Sequence, residues 1–165
     1  MIQIAYGLKY LNQLGIVHRD LKPSNIMITK QNNFGIIKIA DFGLSKIISP
    51  TERVTNGVGT LDYVSPEVLT RTPYNQKVDI WAMGVILYQI LSGTLPFTRE
   101  NDNDLGKKIV FEELKFDKYY WEKRTQSVQD LIKCCLNKYQ ERRISIDDFI
   151  NLPWFKKNKI IKLSI

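Results

Sequence analysis

One apolar run limits the possible folds of this chain more than any other feature. From Asp79 to Leu91 nearly every residue is apolar, and Ser92-Gly93 follows with the composition of a helix end. A helix that is apolar on all sides has to be covered on all sides by other elements. The apolar part is interrupted at Gln89 and is too short to cross a bilayer. The run therefore predicts a central helix that is buried among other helices.

Several other segments carry helical patterns that place them around this core. Apolar residues from Ile2 to Leu14 recur at helical spacing, and Gly15 is suited to end that helix. Pro66 is suited to the first turn of a short helix that reaches Leu69. Further helical patterns span Leu105 to Phe111, Val128 to Asn137 and Ile146 to Leu152. The chain is thus predicted to be mostly helical.

A hairpin and a turn-rich segment complete the predicted organisation. The strand-type runs 26–28 and 36–39 flank the polar turn 30–33, which predicts an antiparallel hairpin. From Ser45 to Thr60 the chain is polar and rich in turn-forming residues, which predicts a mobile surface segment. The length of 165 residues, with 44% hydrophobic and 25% charged residues, fits one globular domain.

The residues best suited to chemistry are concentrated in one polar run, His18 to Asn25, between two apolar strand-type segments. Asp20 can accept a proton, Lys22 can neutralise an anion, and Asn25 offers a carbonyl oxygen to a hard cation. Together these groups suit phosphoryl transfer better than hydrolysis by a Ser-His pair. The alternative interpretation is a polar turn whose chemistry is coincidental.

Charge and cysteine content limit the partners and the compartment. The net charge of +7 could suit nucleic acid or anionic lipid, but solvated lysines are the commoner reason for such a value. No nucleic-acid-binding module is recognisable, so no nucleic-acid partner is predicted. The cysteines are the neighbours Cys134 and Cys135, a pair too constrained for an ordinary disulfide. We therefore predict a reducing, intracellular and cytoplasmic location, without a secretory signal or a membrane span.

Two motifs in a fixed order carry a family resemblance. The run His-Arg-Asp-Leu-x-x-x-Asn at 18–25, followed after a predicted strand by Asp41-Phe42-Gly43, resembles the eukaryotic protein kinases. Lys22, two residues after the aspartate of that run, resembles the serine/threonine-specific branch, as does Gly59-Thr60. The resemblance implies transfer of the γ-phosphate of ATP to Ser or Thr hydroxyls of protein substrates, with Mg²⁺ as the metal.

The resemblance covers the larger, C-terminal lobe of a kinase. It implies a protein-kinase-like fold limited to that lobe, mainly α, with one or two short β-hairpins around the catalytic loop, which is the polar run 18–25. We assign residues 1–155 to the lobe and 156–165 to a basic tail. The runs 84–97 and 152–155 resemble the calcium/calmodulin-dependent protein kinase group. The pair Tyr139-Gln140 departs from the family, where Asp-Pro is usual, so the local loop geometry is left open.

The resemblance also implies roles for individual residues near the polar run. Asp20 would orient the substrate hydroxyl and accept its proton, and Lys22 would steady the transferring phosphate. Asn25 and Asp41 would hold the metal ions. Two further positions, Met27 and Ala40, match residues that line the adenine pocket, although an ordinary core role fits them equally well.

Supporting residues follow from the same resemblance. Thr60 would contact Asp20 and Lys22 and shape the substrate floor, unless it is a plain turn threonine. Glu67 and Arg143 match a buried ion pair that anchors the activation segment. Asp79 matches a residue that bonds to the catalytic-loop backbone, although an acidic residue at a helix start would be useful as a cap in any case.

Arg19 implies regulation through a phosphate on the activation segment, with Lys46 as a possible second contact. The usual phosphorylated position is occupied here by Asn56, which cannot accept a phosphate. We therefore assign the site to the adjacent Thr55, since Ser49 and Thr51 are more distant in sequence.

Substrate preference and calmodulin binding are open at this point. Ser24 and Gln89 stand where arginine-directed kinases commonly carry glutamate, which predicts weak selection for arginine two residues before the phosphoacceptor. The basic tail from Lys156 has a composition shared by calmodulin targets and by solvated chain ends, and the second interpretation is favoured.

Nothing before His18 resembles the Gly-rich loop or the strand lysine that grip the phosphates of ATP. We therefore expect a fragment that needs a missing N-terminal kinase lobe as its partner and is inactive in isolation. The alternative function is a non-catalytic module that binds kinase substrates or regulators. Intact Asp20, Lys22, Asn25 and Asp41 favour the catalytic interpretation, because a binding module has no need of all four.

Overall fold

The computed structural model describes residues 1–31, 34–49, 52, 54–98 and 101–157. Its helices are α1 (Ile2–Gln13), α2 (Pro66–Leu69), α3 (Lys77–Ser92), α4 (Asp102–Phe111), α5 (Lys118–Trp121), α6 (Gln126–Cys135), α7 (Ile146–Asn151) and α8 (Pro153–Lys157). Its strands are β1 (Ile16–Val17), β2 (Ile26–Gln31), β3 (Phe34–Ile39) and β4 (Lys46–Ile47). This mainly helical architecture with short antiparallel strands confirms the protein-kinase-like fold predicted for the large lobe.

Helix α3 is the centre of the structure, as its apolar composition predicts. Every residue from Val78 to Tyr88 is buried, and Gly93 ends the helix in the left-handed conformation at φ 77°. Helix α6 crosses α3 closely at Gly84, where a Cβ atom would lie 2.6 Å from the Cβ of Cys135. The two helices can therefore approach this closely only because residue 84 has no side chain.

Helix α1 delivers the chain to the polar run and packs on the hairpin. Its buried face, including Leu8 and Leu11, joins the main core, and its C-terminal end leads through Gly15 into β1. Strands β2 and β3 pair antiparallel, with Ile26 opposite Ile39, which confirms the predicted hairpin. The predicted turn residues 32 and 33 lie outside the described residues. Strand β1 pairs with β4 and not with β2, so the polar run lies between two separate strand pairs.

The prediction of a surface segment from Ser45 to Thr60 is wrong at two residues. Ile48 and Val54 are 6% and 3% exposed and belong to a second apolar cluster, to which Tyr74 also contributes. Val54 forms a backbone bridge with Tyr74. Apolar residues that occur singly in a polar segment carry no periodicity, so the sequence did not reveal this anchoring.

The remaining differences concern short or terminal elements. Helix α5 has four residues and was not predicted, because one helical turn is too short to show a period. The basic tail is described only as far as residue 157, in α8, and residues 158–165 lie outside the described residues. None of the helices that the structure describes combines the length and the apolar character needed to cross a membrane.

Candidate active site

The carboxylate of Asp20 is the centre of the site. Its Oδ1 accepts hydrogen bonds from the backbone N–H of Thr60 at 2.9 Å and from the Thr60 hydroxyl at 2.7 Å. Its Oδ2 lies 2.7 Å from Nζ of Lys22, which also donates to the Thr60 hydroxyl at 2.8 Å. The structure thus brings these three predicted site residues into mutual contact although the threonine is 40 residues away in sequence.

These contacts keep Asp20 ionised although it is only 8% exposed. Burial by itself would raise the pKa of this carboxyl, but hydrogen bonds from Lys22 and Thr60 and the charge of the lysine together lower it below its ordinary value. A carboxylate that is ionised at neutral pH can accept a proton or a hydrogen bond from an incoming hydroxyl.

Asp79 holds the backbone of the polar run in place. Its two carboxylate oxygens accept from the backbone N–H groups of His18 and Arg19 at 2.8 and 2.9 Å. Asp79 lies in the first turn of α3, and its carboxylate bonds to the backbone of the polar run, as the resemblance implies. Arg19 has a φ of 69°, a left-handed conformation that is rare for a residue with a side chain. Burial raises the pKa of Asp79, and the two N–H bonds oppose that rise.

The end of β3 is attached to the polar run through Ala40. The backbone N–H of Ala40 donates to the backbone carbonyl of Asn25 at 2.9 Å. The backbone carbonyl oxygen of Ala40 is 3.0 Å from Nε2 of His18. Nδ1 of His18 accepts a hydrogen bond from the Asp20 N–H. Nε2 therefore carries the ring proton and donates a hydrogen bond to the Ala40 carbonyl oxygen. Asp41 directly follows this junction, so the fold places it next to the polar run.

The residues predicted to hold a metal fit that task. Asn25 uses its amide nitrogen to donate to the Asp20 backbone carbonyl at 2.9 Å, which leaves its amide oxygen outside that bond. Asp41 is exposed at φ 62°, and its carboxylate accepts a 3.2 Å bond from the N–H of Gly43. One amide oxygen and one carboxylate suit Mg²⁺ that keeps further ligands from phosphate and water. Among the described residues, no group of three or more His, Cys, Asp and Glu side chains forms a larger metal site.

The two residues assigned to an adenine pocket differ in solvent exposure. Met27 is 58% exposed, so the alternative that it is ordinary core is wrong. Ala40 is half-buried at the junction described above. Ile28 and Phe42 are also exposed, at 69% and 44%. Met27 and Ile28 are successive residues of β2, so their side chains lie on opposite faces of the hairpin.

A buried ion pair supports the segment that carries Thr60. Glu67 in α2 accepts two hydrogen bonds from Arg143, at 2.6 Å to Nη1 and 2.9 Å to Nη2. The arginine is 1% exposed, and its remaining donors bind the carbonyls of Asn137 and Lys77. The pair therefore joins α2 to the start of α3 and to the residues before α7.

Arg19 and Lys46, the residues predicted to bind a regulatory phosphate, both have partners within the chain. Thr55 is exposed. Arg19 donates from Nε to the carbonyl of Leu44 at 2.5 Å, and Lys46 is paired with Glu52 at 2.7 Å. Ser49 is exposed, and Thr51 lies outside the described residues.

Sequence reasoning missed three polar contacts around the site. Tyr74 donates its hydroxyl to the carbonyl of Asn56 at 2.8 Å. The buried Gln140 accepts from the N–H of Asn75 at 2.8 Å, which resolves the geometry left open at Tyr139-Gln140. Tyr63 donates to the side-chain oxygen of Gln89 at 2.9 Å. Each contact joins residues distant in sequence, and only the departure from the family pattern at Gln140 could have drawn attention beforehand.

Known proteins resemble this chain over most of its length. The family model described as "Protein kinase domain" matches residues 1–155. Over 156 residues the chain is 38% identical to "Myosin light chain kinase A" of Dictyostelium discoideum, covering 94% of this chain and 53% of that protein. It is 37% identical over 156 residues to "Calcium/calmodulin-dependent protein kinase type 1" of Macrobrachium nipponense, covering 94% and 45%. The chain thus spans about half the length of these curated relatives. On this match and these relatives, the chain belongs to the protein kinase domain family.

Proposed function

We propose that this chain is the substrate-positioning part of an ATP-dependent protein kinase that phosphorylates Ser and Thr residues of proteins. The contact of the ionised Asp20 with both Lys22 and Thr60 carries the proposal. In the reaction, the acceptor hydroxyl oxygen forms a bond to the γ-phosphorus, and the bond from that phosphorus to the β-phosphate oxygen breaks. The hydroxyl proton passes to Asp20, and ADP leaves.

The residues of the chain contribute mainly alignment and charge. Asp20 orients the hydroxyl by accepting its hydrogen bond, and Lys22 lies next to Asp20, where it can neutralise charge on the transferring phosphate. Asn25 and Asp41 would hold Mg²⁺, which supplies charge neutralisation of the ATP phosphates when bound. A phosphoryl transfer of this kind needs no covalent intermediate with the protein.

Specificity for Ser and Thr is supported by the Lys22–Thr60 bond and by the names of the two relatives. The side chain of Gln89 is neutral and already accepts a hydrogen bond from Tyr63. A substrate arginine would find no carboxylate there, so weak selection for arginine two residues before the acceptor is expected. A peptide array with a strong preference for arginine at that position would contradict this.

The other half of the nucleotide site is proposed to come from an N-terminal kinase lobe outside residues 1–155. The exposure of Met27 in β2 and of Phe42, the neighbour of Asp41, supports this, because adenine and that lobe would cover these apolar side chains. Calmodulin is a further proposed regulator, suggested by the name of one relative and by the basic tail. A gel shift of a peptide spanning residues 152–165 with calmodulin and Ca²⁺ tests that point. An intracellular location remains a prediction.

The decisive experiment measures phosphate transfer. A polypeptide in which this chain follows a Gly-rich loop and a strand lysine encoded upstream in frame is expected to phosphorylate Ser/Thr peptides, whereas residues 1–165 alone are expected to be inactive. Asp20→Asn should abolish turnover, while Lys133→Gln, an exposed change in α6, serves as the control for expression and folding. If Asp20→Asn retains full activity, or if no upstream lobe is encoded, the non-catalytic binding module becomes the better account.

A further inference from the structure

The side chain of Tyr74 joins the activation segment, here residues 41–67, to the polar run. Tyr74 is fully buried, and its backbone pairs with that of Val54 through N–O distances of 3.2 and 2.9 Å. Its hydroxyl donates to the backbone carbonyl of Asn56 at 2.8 Å, and Nη1 of Arg19 lies 3.5 Å from the hydroxyl oxygen of Tyr74. One neutral hydroxyl therefore lies between the segment and the arginine.

The cations that a phosphate would need are already engaged within the chain. Arg19 binds the Leu44 carbonyl and approaches Tyr74, and its backbone N–H binds Asp79. Lys46 is paired with Glu52 at 2.7 Å. Because Asn56 is held through its backbone carbonyl, its side chain has no part in this contact. The segment is thus attached to the polar run through backbone carbonyls and the Tyr74 hydroxyl, and both cations have partners within the chain.

The anchored residues lie next to the catalytic contacts. Val54 and Asn56 precede Thr60 by a few residues, and Thr60 donates both its N–H and its hydroxyl to Asp20. A shift of the segment at Val54 or Asn56 would therefore move the Thr60 contacts as well. The ring of Tyr74 fills the second apolar cluster, whereas its hydroxyl fixes the register of the segment.

We propose that Tyr74 is a positioning residue whose hydroxyl holds the activation segment against the polar run in the absence of phosphorylation. The structural part of this inference stands independently, and its effect on turnover rests on the proposed kinase function. Phosphorylation of Thr55 remains a prediction, and the Tyr74 contact would hold the segment whether or not Thr55 is modified.

Amide hydrogen exchange, followed by mass spectrometry on the full chain after phosphatase treatment, tests the inference. In the unmodified chain the peptide covering residues 54–60 should be protected. Tyr74→Phe keeps the ring and removes one hydroxyl, so exchange in that peptide should become about two- to tenfold faster, the range for one lost hydrogen bond. Tyr88→Phe is the matched control, because it removes a buried hydroxyl that donates to the carbonyl of Lys115 at 3.0 Å. It should leave residues 54–60 unchanged.

Two results would overturn the proposal. One is that the phosphatase-treated chain exchanges without protection at residues 54–60 and becomes protected only when phosphorylated. The other is that Tyr74→Phe exchanges like Tyr88→Phe in this peptide. Exchange requires no phosphate transfer, so its outcome is separate from that of the kinase assay. In the active polypeptide, Tyr74→Phe should lower kcat for peptide substrates and leave the KM for ATP unchanged, and phosphatase treatment should change neither.

Discussion

The close contact between α3 and α6 predicts that alanine at Gly84 will have a different effect on stability from alanine at Gly106 in α4. At Gly84 an added Cβ would lie 2.6 Å from the Cβ of Cys135 and 3.0 Å from Cδ2 of Leu136. Carbon atoms pack at about 3.5 Å or more, so the helices would have to separate by about 0.9 Å. The Cβ of Cys135 is fixed to the α6 backbone and cannot rotate away. At Gly106 in α4, nothing lies within 4 Å of the added atom.

We therefore expect opposite effects on the free energy of unfolding. Gly84→Ala should destabilise the fold by about 1–3 kcal/mol, because overpacking outweighs the better helix propensity of alanine. Gly106→Ala should stabilise it by about 0.5–1 kcal/mol through propensity alone. Urea unfolding at 25 °C, followed by circular dichroism, measures both changes. For a chain of this size, each kcal/mol corresponds to about 2–4 °C in Tm.

A double mutant tests the cause. Adding Cys135→Gly to Gly84→Ala removes the Cβ atom that makes the shortest contact. Because Cys135 is the last residue of α6, glycine there should lower helix stability only slightly. The two changes should therefore cost less together than the sum of their separate effects. A Gly84→Ala variant as stable as the unmodified chain, or strictly additive effects in the double mutant, would refute the steric account.

Three further changes test the polar contacts. Glu67→Gln should lower the free energy of unfolding by about 3–5 kcal/mol, because it leaves the buried Arg143 without its counter-charge; a loss below about 1 kcal/mol in urea unfolding would contradict this. Asp79→Asn should cost about 1–3 kcal/mol, because an amide has only one acceptor oxygen for two backbone N–H groups, and exchange at those amides should rise. Burial lowers the pKa of Lys138 to about 8. Between about pH 8 and 10.4 the unfolded state then binds more protons than the folded state. The free energy of unfolding, measured relative to that of Lys138→Met by urea titration, should therefore increase with pH. A difference that is constant with pH would argue against this.

The sequence predicted the features that depend on local pattern. The apolar run of α3, the amphipathic α1 and the β2–β3 hairpin follow from periodicity and turn composition, and each was found within a few residues of its predicted bounds. The polar run and Asp41 were identifiable because a motif fixes both residue type and order.

The missed features depend on contacts between distant segments. Val54 meets Tyr74 across 20 residues, and Gln140 meets Asn75 across 65. Neither contact leaves a period or a motif, because a single buried valine or glutamine is compatible with many surroundings. Such contacts become visible only once the chain is folded, and the one between Val54 and Tyr74 holds the activation segment.

The hydrogen bonds at Asp20 affect whether water can take the place of the substrate hydroxyl. Both of its carboxylate oxygens accept bonds from Thr60 or Lys22 before any substrate arrives. Asn25 also donates to Oδ2 at 3.4 Å, so an incoming hydroxyl must compete with existing donors for a carboxylate that has about four lone pairs in total. A hydroxyl held by a docked polypeptide gains that position through its other contacts, whereas a water molecule has no such help. If the proposed kinase function is correct, the site should therefore discriminate against water as an acceptor, and ATP should not be hydrolysed without a peptide substrate.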